Sequence, residues 1–384
     1  MIAIGNLLAE YKELPSPSSE PPVLTLTEKN GFVHQSDRFH KRLATEDVSK
    51  YKVVRRNDIA FNPYLLWAGA VAQNTIVDEG IISPLYPTFK VRNGFDPRYV
   101  ARLLLSPQMI SVYDTIAFGS VPRRRRSSVS DFLALEITDP PSLDEQRRIA
   151  AILDCADSLR TKRRQIVSAF ESLRQSVFID MFGDPASNPR GLPTGTIRDL
   201  VQSADYGTSE KSSQEGDIAV LRMNNVTYGG DIDLRELKYM TLPVDKYDRY
   251  TVRKGDVLFN RTNSADLVGK TAVYHGDNRL AYAGYLVRLR VHDGFSPDFL
   301  SGVLNSDYGK ATLRGMCKSI VGMANINAKE VQTIRTLIPP AADQAKYSVR
   351  IERIRAEKDR HRAALAALDR LFESVQARAF RREP

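Results

Sequence analysis

One segment occurs in two similar copies in this chain, and this repeat constrains the fold more than any other feature. Val54–Leu65 reads VRRNDIAFNPYL, and Val252–Asn263 reads VRKGDVLFNRTN, 198 positions later. Downstream, Gly94–Pro107 (GFDPRYVARLLLSP) matches Gly294–Asp307 (GFSPDFLSGVLNSD) at an offset of 200. Two copies with such a long period indicate a duplicated domain and not a solenoid, whose repeats are short and recur at least three times. The 384 residues are enough for two such domains.

Each copy predicts a short strand followed by a helix. Ile59 and Phe61 alternate with more polar neighbours, as Val257 and Phe259 do in the second copy, and this period of two is typical of a strand. Later in each copy, an Asp96-Pro or Ser296-Pro pair stands before an apolar stretch. A side chain that caps the first amides, followed by proline in the first helical position, predicts the start of a helix.

A long helix is predicted at the end of each copy. No proline or glycine occurs between Pro141 and Gly183, and none occurs from Asp343 to Phe380. Apolar residues follow a spacing of three and four in both segments. The predicted seams comprise Ile149, Ile152, Ala156, Leu159, Ile166, Phe170, Leu173 and Val177 in the first helix, and Ile354, Ala364, Leu368, Leu371 and Val375 in the second. At 1.5 Å per residue each helix would span roughly 57 Å.

The two long helices are expected to pair with each other in antiparallel orientation. The alternative is that each lies on its own domain. The pairing predicts an α+β protein, in which two similar mixed α/β domains are joined by two long antiparallel helices and related by a pseudo-twofold axis. The predicted boundaries are 1–139 for the first domain, 140–183 for the central helix, 184–338 for the second domain and 339–384 for the C-terminal helix.

Charge and composition restrict the class of partner. The net charge is +9 and the isoelectric point about 9.4, which favours a polyanion such as nucleic acid. Two cysteines cannot form a disulfide framework, so a reducing cytoplasm is expected. The five histidines lack the spacing of metal ligands, and no signal peptide or membrane span is predicted.

Several segments resemble the specificity subunit of Type I restriction–modification enzymes, over essentially the whole chain. They are PPSLDEQRRIAAILDCADSL from Pro140, PPAADQ from Pro339, VRKGDVLFNRTNSADLVGKTAVY from Val252 and YKVVRRNDIAFNP from Tyr51. The second copy departs from the family pattern, because Asp343-Gln344 replaces Glu-Gln and Tyr347-Ser348 replaces Ile-Ala.

The resemblance implies a DNA-recognition subunit of a phage-defence system. Two target-recognition domains would each read one half of a bipartite DNA site. The two helices would set the gap between the half-sites and dock two methyltransferase subunits, with a motor-nuclease restriction subunit as an optional further partner. The methyltransferase subunits would methylate adenine with S-adenosylmethionine, so this chain would carry neither cofactor nor catalysis.

One motif raises the alternative of chemistry in the chain itself. Phe61-Asn62-Pro63-Tyr64 resembles the Asn-Pro-Pro-Tyr loop of adenine methyltransferases, but it lacks the second proline, and no glycine-rich cofactor turn precedes it. The repeat has Phe259-Asn260-Arg261-Thr262 at the same place. A strand end in a duplicated scaffold is therefore favoured over a catalytic loop. No phosphate-binding P-loop motif is present either.

Arg, Lys, Asn and small polar side chains dominate contacts with DNA, so residues of these types that follow predicted strands are expected to make them. The candidates are Arg123, Arg124, Arg125, Arg126, Asn62 and Tyr64 in the first domain, and Tyr206, Thr208, Ser209, Arg222, Asn224, Asn260, Arg261, Asn263, Ser264 and Lys270 in the second. For each loop the alternative is an ordinary solvated turn. For the four arginines it is a protein-interface patch.

Three functions compete at this point. The first is the DNA-specificity subunit. The second is a methyltransferase fused to a recognition domain, which would need a cofactor-binding domain that no part of the chain is left to build. The third is a stand-alone regulator with two DNA-reading heads, which would bind its site tightly without partner subunits.

Overall fold

The computed structural model describes residues 1–17, 21–28, 30–38, 48–119, 125–264, 267–317 and 324–380. The chain forms two compact units. Unit 1 comprises Met1–Lys162 and Ala364–Pro384, and unit 2 comprises Arg163–Ala363. Each of the two long helices therefore contributes to both units. Within the described residues, no helix combines the length and the apolarity needed to span a lipid bilayer.

Unit 1 contains short strands and helices arranged around one four-stranded sheet. Its strands are β1 (Ile2–Ala3), β2 (Leu8–Tyr11), β3 (Leu24–Thr27), β4 (Gly31–His34), β5 (Lys52–Arg55), β6 (Ile59–Phe61), β7 (Val71–Gln73), β8 (Glu79–Ile82), β9 (Thr88–Val91), β10 (Ala117–Phe118), β11 (Arg126–Ser127) and β12 (Glu136–Ile137). Its helices are α1 (Gln35–Arg38), α2 (Pro97–Leu104), α3 (Pro107–Thr115), α4 (Val129–Ala134) and the first half of α5 (Leu143–Phe182).

The core of unit 1 lies against the antiparallel sheet β2-β9-β6-β7. Phe61 and Phe89 project from this sheet and meet Phe132 of α4, with ring centroids 4.7 to 5.8 Å apart. All three rings are fully buried, and burial of each stabilises the unit by roughly 1.5–3 kcal/mol.

Unit 2 repeats this plan. The strands are β13 (Thr194–Thr196), β14 (Val201–Tyr206), β15 (Ile218–Leu221), β16 (Lys238–Met240), β17 (Thr251–Val252), β18 (Val257–Asn260), β19 (Thr262–Asn263), β20 (Thr271–Val273), β21 (Leu280–Tyr282), β22 (Leu286–Val291), β23 (Ala324–Asn325) and β24 (Arg335–Leu337). The helices are α6 (Ile197–Leu200), α7 (Tyr247–Tyr250), α8 (Pro297–Asn305), α9 (Asp307–Met316), α10 (Ala328–Gln332) and α11 (Ala341–Ala379), which begins here and ends in unit 1.

The central sheet of unit 2 has the order β14-β22-β18-β20, which matches the order in unit 1 strand for strand. A second sheet, β16-β15-β21-β17, contains one parallel pair, β15 with β21. Its counterpart in unit 1 is smaller: β5 pairs with β8, and Val23 forms a parallel bridge to Ile81. The predicted duplication is thus visible in the order of the strands.

The doubled segment of the sequence encodes a tight turn into the central strand of each sheet. Asn57 and Gly255 occupy the same turn position with φ of 73° and 91°, a region that Asn and Gly tolerate best. The next residue closes the turn: an Asp58 carboxylate oxygen accepts the Arg55 N–H at 2.7 Å, and Asp256 accepts the Arg253 N–H at 2.9 Å. The sequence Asn/Gly-Asp before an apolar strand is therefore needed twice for a structural reason.

The predicted helix starts are confirmed. Asp96 accepts the N–H groups of Arg98 and Tyr99, and Ser296 accepts that of Phe299, so both side chains cap helices that have proline in the first turn.

Two buried glutamines explain the Pro-Pro…Gln pattern. The amide oxygen of Gln146 accepts the Asp96 N–H at 2.9 Å, and its amide nitrogen donates to the Pro141 carbonyl at 2.8 Å. Gln344 bonds in the same way to the Ser296 N–H at 3.0 Å and the Pro339 carbonyl at 2.8 Å. In each unit, one side chain thus ties the start of a long helix to the start of a domain helix, despite the Glu-to-Asp change beside Gln344.

The two long helices lie antiparallel within each unit. In unit 1, Arg160 of α5 donates to Asp369 of α11 at 2.6 Å, and its guanidinium lies 4.2 Å from the centre of the Phe372 ring. In unit 2, Phe178 near the end of α5 packs on Tyr347 near the start of α11, with centroids 5.9 Å apart. The predicted pairing of the helices is confirmed.

The predicted seam of α5 is only half correct. Ala156 is buried and Phe170 is half-buried, but four seam residues are 40 to 48% exposed. These four are Ile152, Leu159, Ile166 and Leu173. The periodicity could not reveal this division, because the domain cores also pack on α5 and select one face of it: Leu153 and Phe178, which were not in the predicted seam, are buried instead.

A group of charges joins the helices to the rest of each unit. In unit 1, Arg102 of α2 pairs with Asp154 and Asp157 of α5 at 2.9 and 3.1 Å. In unit 2, Asp231 from the loop after β15 accepts hydrogen bonds from Arg174, Lys358 and Arg362, at 2.7 to 3.0 Å. The Lys358 side chain is only 1% exposed. We call the unit 2 group the Asp231 cluster.

Candidate nucleic-acid interface

In each unit, the segment after the central strand lies beside a second strand and forms what we call the loop edge. In unit 1 it comprises residues 62–67 and 125–127, joined by a hydrogen bond from the Ser127 N–H to the Pro63 carbonyl at 2.9 Å. In unit 2 it comprises residues 260–264 and 324–326, joined by a bond from the Ile326 N–H to the Arg261 carbonyl at 2.9 Å. Pro63 and Arg261 are equivalent in the repeat, so the two loop edges have the same construction.

The loop edge of unit 1 presents an arginine over a tyrosine. Asn62 is buried and shapes the turn, because its side-chain oxygen accepts the Tyr64 N–H at 3.0 Å and its nitrogen donates to the Tyr86 hydroxyl at 3.3 Å. Tyr64 is exposed, and the guanidinium of the exposed Arg126 lies 5.8 Å from the centre of its ring. This distance is within the range of a cation–π contact.

The other arginines of the run differ from Arg126. Arg125 donates to the Asp114 carboxylate at 2.6 Å, to the Asp114 carbonyl at 2.6 Å and to the Ala117 carbonyl at 3.1 Å. Arg125 thus holds the ends of α3 and β10 together within the unit, and DNA contact by this residue stays a prediction. Asp114 stands eleven positions upstream, and no local pattern in the sequence pairs the two residues. Arg123 and Arg124 lie outside the described residues.

The loop edge of unit 2 also presents an arginine over a tyrosine. The Arg261 guanidinium lies 5.0 Å from the centre of the Tyr206 ring, and its Nε is buried without a hydrogen-bond partner among the described residues. The exposed Tyr206 is itself fixed, because its hydroxyl accepts the Ala328 N–H at 3.0 Å. Tyr206 and Arg261 were separate candidates in the sequence, and the fold brings them into contact.

The remaining polar candidates of unit 2 surround this pair. Asn263 accepts the Ser264 N–H through its side chain at 2.9 Å, and the Ser264 carbonyl accepts the N–H of Val268 at 2.9 Å, so both residues shape the loop. Ser209 and Asn224 are exposed on neighbouring loops, and Arg222 is half-buried. DNA contact by these residues stays a prediction.

Three candidates lie inside unit 2 and not on its surface. Thr208 accepts the Glu210 N–H at 3.1 Å, and the Lys270 ammonium donates to the Met223 carbonyl at 2.8 Å. Burial lowers the pKa of Lys270. Asn260 is fully buried, and both polar atoms of its side chain lack a partner among the described residues. These three side chains are part of the interior of unit 2. Their burial leaves little surface for direct contact with DNA.

Two exposed aromatic residues were missed by the sequence reasoning. Phe118 is 64% exposed and stands opposite Arg126 in the β10–β11 pair. Tyr285 is 51% exposed, and its carbonyl accepts the Arg261 N–H at 3.0 Å. The turn Ala-Gly-Tyr between two apolar strands was a signal for Tyr285, since a large aromatic residue in a turn is unusual. Aromatic and arginine side chains together suit stacking on bases and hydrogen bonding to them.

Among the described residues, no group of three His, Cys, Asp or Glu could hold a metal ion. The Asn62-Pro63-Tyr64 motif uses its amide to shape a turn, as described above, which agrees with the scaffold interpretation.

Comparison with known proteins gives relatives of one kind. No family model matches the chain. The sequence is 24% identical over 306 residues to the Type I restriction enzyme StySPI specificity subunit of Salmonella potsdam, covering 75% of this chain and 65% of that protein. It is 26% identical over 274 residues to the EcoKI specificity subunit of Escherichia coli K12, covering 66% of this chain and 59% of the relative. The matched regions thus span less than two thirds of these relatives.

The fold is similar to solved structures over nearly the full chain. A Type I restriction–modification S subunit from M. genitalium aligns with a TM-score of 0.61 at 15% identity, covering 100% of this chain and 96% of that one. A chain from a structure of complex assembly in the type I R-M system aligns with a TM-score of 0.55 at 18% identity, covering 99% and 97%. The predicted resemblance and the predicted fold class are confirmed.

Proposed function

We propose that this chain, which resembles type I specificity subunits in sequence and in fold, is the DNA sequence-specificity subunit of a Type I restriction–modification complex. Each unit reads one half of a bipartite site with its loop edge. The two long helices set the spacing and dock two methyltransferase subunits, and a restriction subunit is an optional further partner. We place the complex in the cytoplasm, where its DNA substrate is found.

The observation that carries this proposal is the duplicated loop edge. Two units with the same strand order each present, at or beside the loop edge, an exposed tyrosine with an arginine above it. A protein with two similar polar and aromatic edges is suited to a ligand that offers two similar sites, and double-stranded DNA is such a ligand. The net charge of +9 supports a polyanionic ligand.

The exposed residues of α5 support the docking of partner subunits. Ile152 and Leu159 in unit 1 are seven residues apart, as are Ile166 and Leu173 in unit 2. Apolar side chains at heptad spacing form one stripe along a helix and typically pack against another helix. One such pair in each unit agrees with two partner copies.

The chain is proposed to contribute recognition and no catalysis. Its polar loop residues serve turns and stacks, and S-adenosylmethionine is assigned to the partner methyltransferase subunits. Methyl transfer to DNA by the purified chain alone would contradict this assignment.

Methylation mapping of the host genome, with and without the gene, tests the function directly. We expect one bipartite motif with methylated adenine in the wild-type strain and its complete loss in the deletion strain. Affinity purification of the tagged chain should recover two copies of a methyltransferase subunit. Tight sequence-specific binding by the chain alone, with no partner recovered, would instead favour the stand-alone regulator.

A further inference from the structure

An arginine stacked on an exposed tyrosine is the feature that the two loop edges share most closely. In unit 1 the pair is Arg126 and Tyr64, and in unit 2 it is Arg261 and Tyr206. A ring face restricts a guanidinium to a few orientations while leaving its N–H edge available. Each edge therefore carries a flat, oriented set of hydrogen-bond donors.

Neither arginine has a carboxylate partner in the described part of the chain. This distinguishes them from their neighbours in the fold. Arg125 pairs with Asp114, Arg288 with Asp205 and Arg290 with Asp256. Among the described residues, Arg261 makes one long side-chain hydrogen bond, 3.4 Å to the Gly284 carbonyl, and its buried Nε has no partner. A guanidinium that is oriented but unpaired is prepared for an external acceptor.

The two pairs are built from different parts of the repeat. In unit 1 the loop after β6 supplies the tyrosine and β11 supplies the arginine. In unit 2 the loop after β18 supplies the arginine and β14 supplies the tyrosine. The same stack thus occurs at both edges although the residues do not correspond, so inheritance of one residue pair does not explain it.

Resting on the proposed function, we propose that Arg126 and Arg261 each read a guanine, and that Tyr64 and Tyr206 hold the guanidinium in the orientation needed. Arginine donates two parallel hydrogen bonds to O6 and N7 of guanine in the major groove, which is the commonest base-specific contact in protein–DNA complexes. Each half-site of the recognised sequence should then contain a G·C pair whose guanine contacts one of these arginines.

A phosphate contact is the competing role, and it differs in what it requires. A phosphate accepts from lysine as well as from arginine, and it gives no base preference. Lysine can also donate to guanine, but it lacks the planar fork that holds two parallel hydrogen bonds in one orientation and that stacks on a tyrosine ring, so it discriminates less between bases. Exchange of arginine for lysine at one position therefore separates the two roles while retaining the charge.

The test is methylation mapping of hosts that express the wild-type chain, Arg261→Lys or Arg126→Lys with the partner subunits. We expect Arg261→Lys to lose discrimination, roughly ten- to a hundredfold, at one G·C position of one half-site, with every other position unchanged. Arg126→Lys should have the same effect at one position of the other half-site. Competition binding of the purified complex to site variants gives a second readout that does not require methylation.

Arg249→Lys is the matched control. Arg249 also lies over a tyrosine, 5.2 Å from the centre of the Tyr250 ring, but it belongs to α7 and not to a loop edge. It should leave the motif unchanged. Equal thermal midpoints of all variants would exclude misfolding as the cause.

Three results would overturn the inference while leaving the proposed function intact. The first is a wild-type half-site without any G·C pair. The second is a lysine variant that reads every position as before. The third is a lysine variant whose binding weakens equally at all positions, which would assign a phosphate contact. A host without any bipartite methylation motif would instead refute the proposed function itself, and the inference would fail with it.

Discussion

Among the described residues, Asp231 is the carboxylate with the most cationic partners, Arg174, Lys358 and Arg362. Burial alone would raise the pKa of this carboxyl, but the hydrogen bond from Lys358 and the positive charges of Arg174, Lys358 and Arg362 outweigh that effect and lower it below the usual value of 3.8. The Lys358 ammonium is buried beside it, so each partner needs the other.

Asp231→Asn should destabilise unit 2 by about 3 kcal/mol, because it leaves the Lys358 charge buried without its main counter-ion. Asp248→Asn is the control, since Asp248 pairs with Arg279 at an exposed site and should lose less than about 1 kcal/mol. Urea unfolding followed by far-UV circular dichroism, which reports on both units, measures both losses. Equal losses in the two variants would show that the Asp231 cluster is no stronger than a surface pair.

The same residue predicts a pH dependence. Since its pKa is lower in the folded chain than in the unfolded one, its stabilisation is fully present above about pH 5 and declines as the pH falls toward the folded pKa. The difference in urea midpoint between wild type and Asp231→Asn should therefore shrink between pH 5 and pH 3. A difference that stays constant over this range would contradict the assignment.

At the scale of elements, each long helix begins on a glutamine that bonds to a domain helix. Gln146→Ala or Gln344→Ala removes an acceptor and a donor from buried backbone groups, so each should cost about 1–3 kcal/mol. Hydrogen exchange should show faster exchange at the start of α2 or α8, only in the unit that carries the change. Gln165→Ala, on an exposed face of α5, should have no such effect.

The exposed stripe of α5 gives a further prediction. Leu173→Glu places a charge in the stripe and should reduce recovery of the methyltransferase subunit at least tenfold in affinity purification, because an unpaired charge would be buried on docking. The fold of the chain should be unaffected, since Leu173 is already exposed. Ser168→Glu, elsewhere on the exposed surface of the same helix, should leave recovery unchanged. Normal recovery with Leu173→Glu would exclude this stripe as the docking surface.

Local patterns predicted much of the fold and little of the site. Some signals depend only on neighbouring residues: a capping residue before a proline, alternating polarity in a strand, and a long segment without glycine or proline. Asp96, Ser296 and both long helices could therefore be found from the sequence. The features of the site depend instead on which distant segments meet in the fold. They are the burial of Asn260 and Lys270, the pairing of Arg125 with Asp114, and the stack of Arg261 on Tyr206. Residue type alone could not separate a polar side chain that supports a loop from one that faces outward.

At the scale of the whole molecule, the proposed function makes the helices a spacer. Removing seven residues from both, at 161–167 and 359–365, would shorten each by about 10 Å. The gap between half-sites should then shrink by roughly three base pairs, at 3.4 Å per base pair. Methylation mapping of the variant would give the new gap directly. An unchanged gap would show that the helices do not determine the spacing.

The charges that join each unit to the helices have opposite signs in the two units. In unit 1 the domain brings the cation, Arg102, and the helix brings Asp154 and Asp157. In unit 2 the domain brings the anion, Asp231, and the helices bring Arg174, Lys358 and Arg362. Arg102 lies in α2 and Asp231 in the loop after β15, so the two units contact the helices through different positions. A domain moved to the helices of the other unit would leave Asp154 and Asp157, or Arg174, Lys358 and Arg362, without these partners. Recombination of such domains into new specificities would therefore require the paired residues to be transferred with each domain. Alternatively, a domain would be exchanged only for one from the corresponding unit of a related protein.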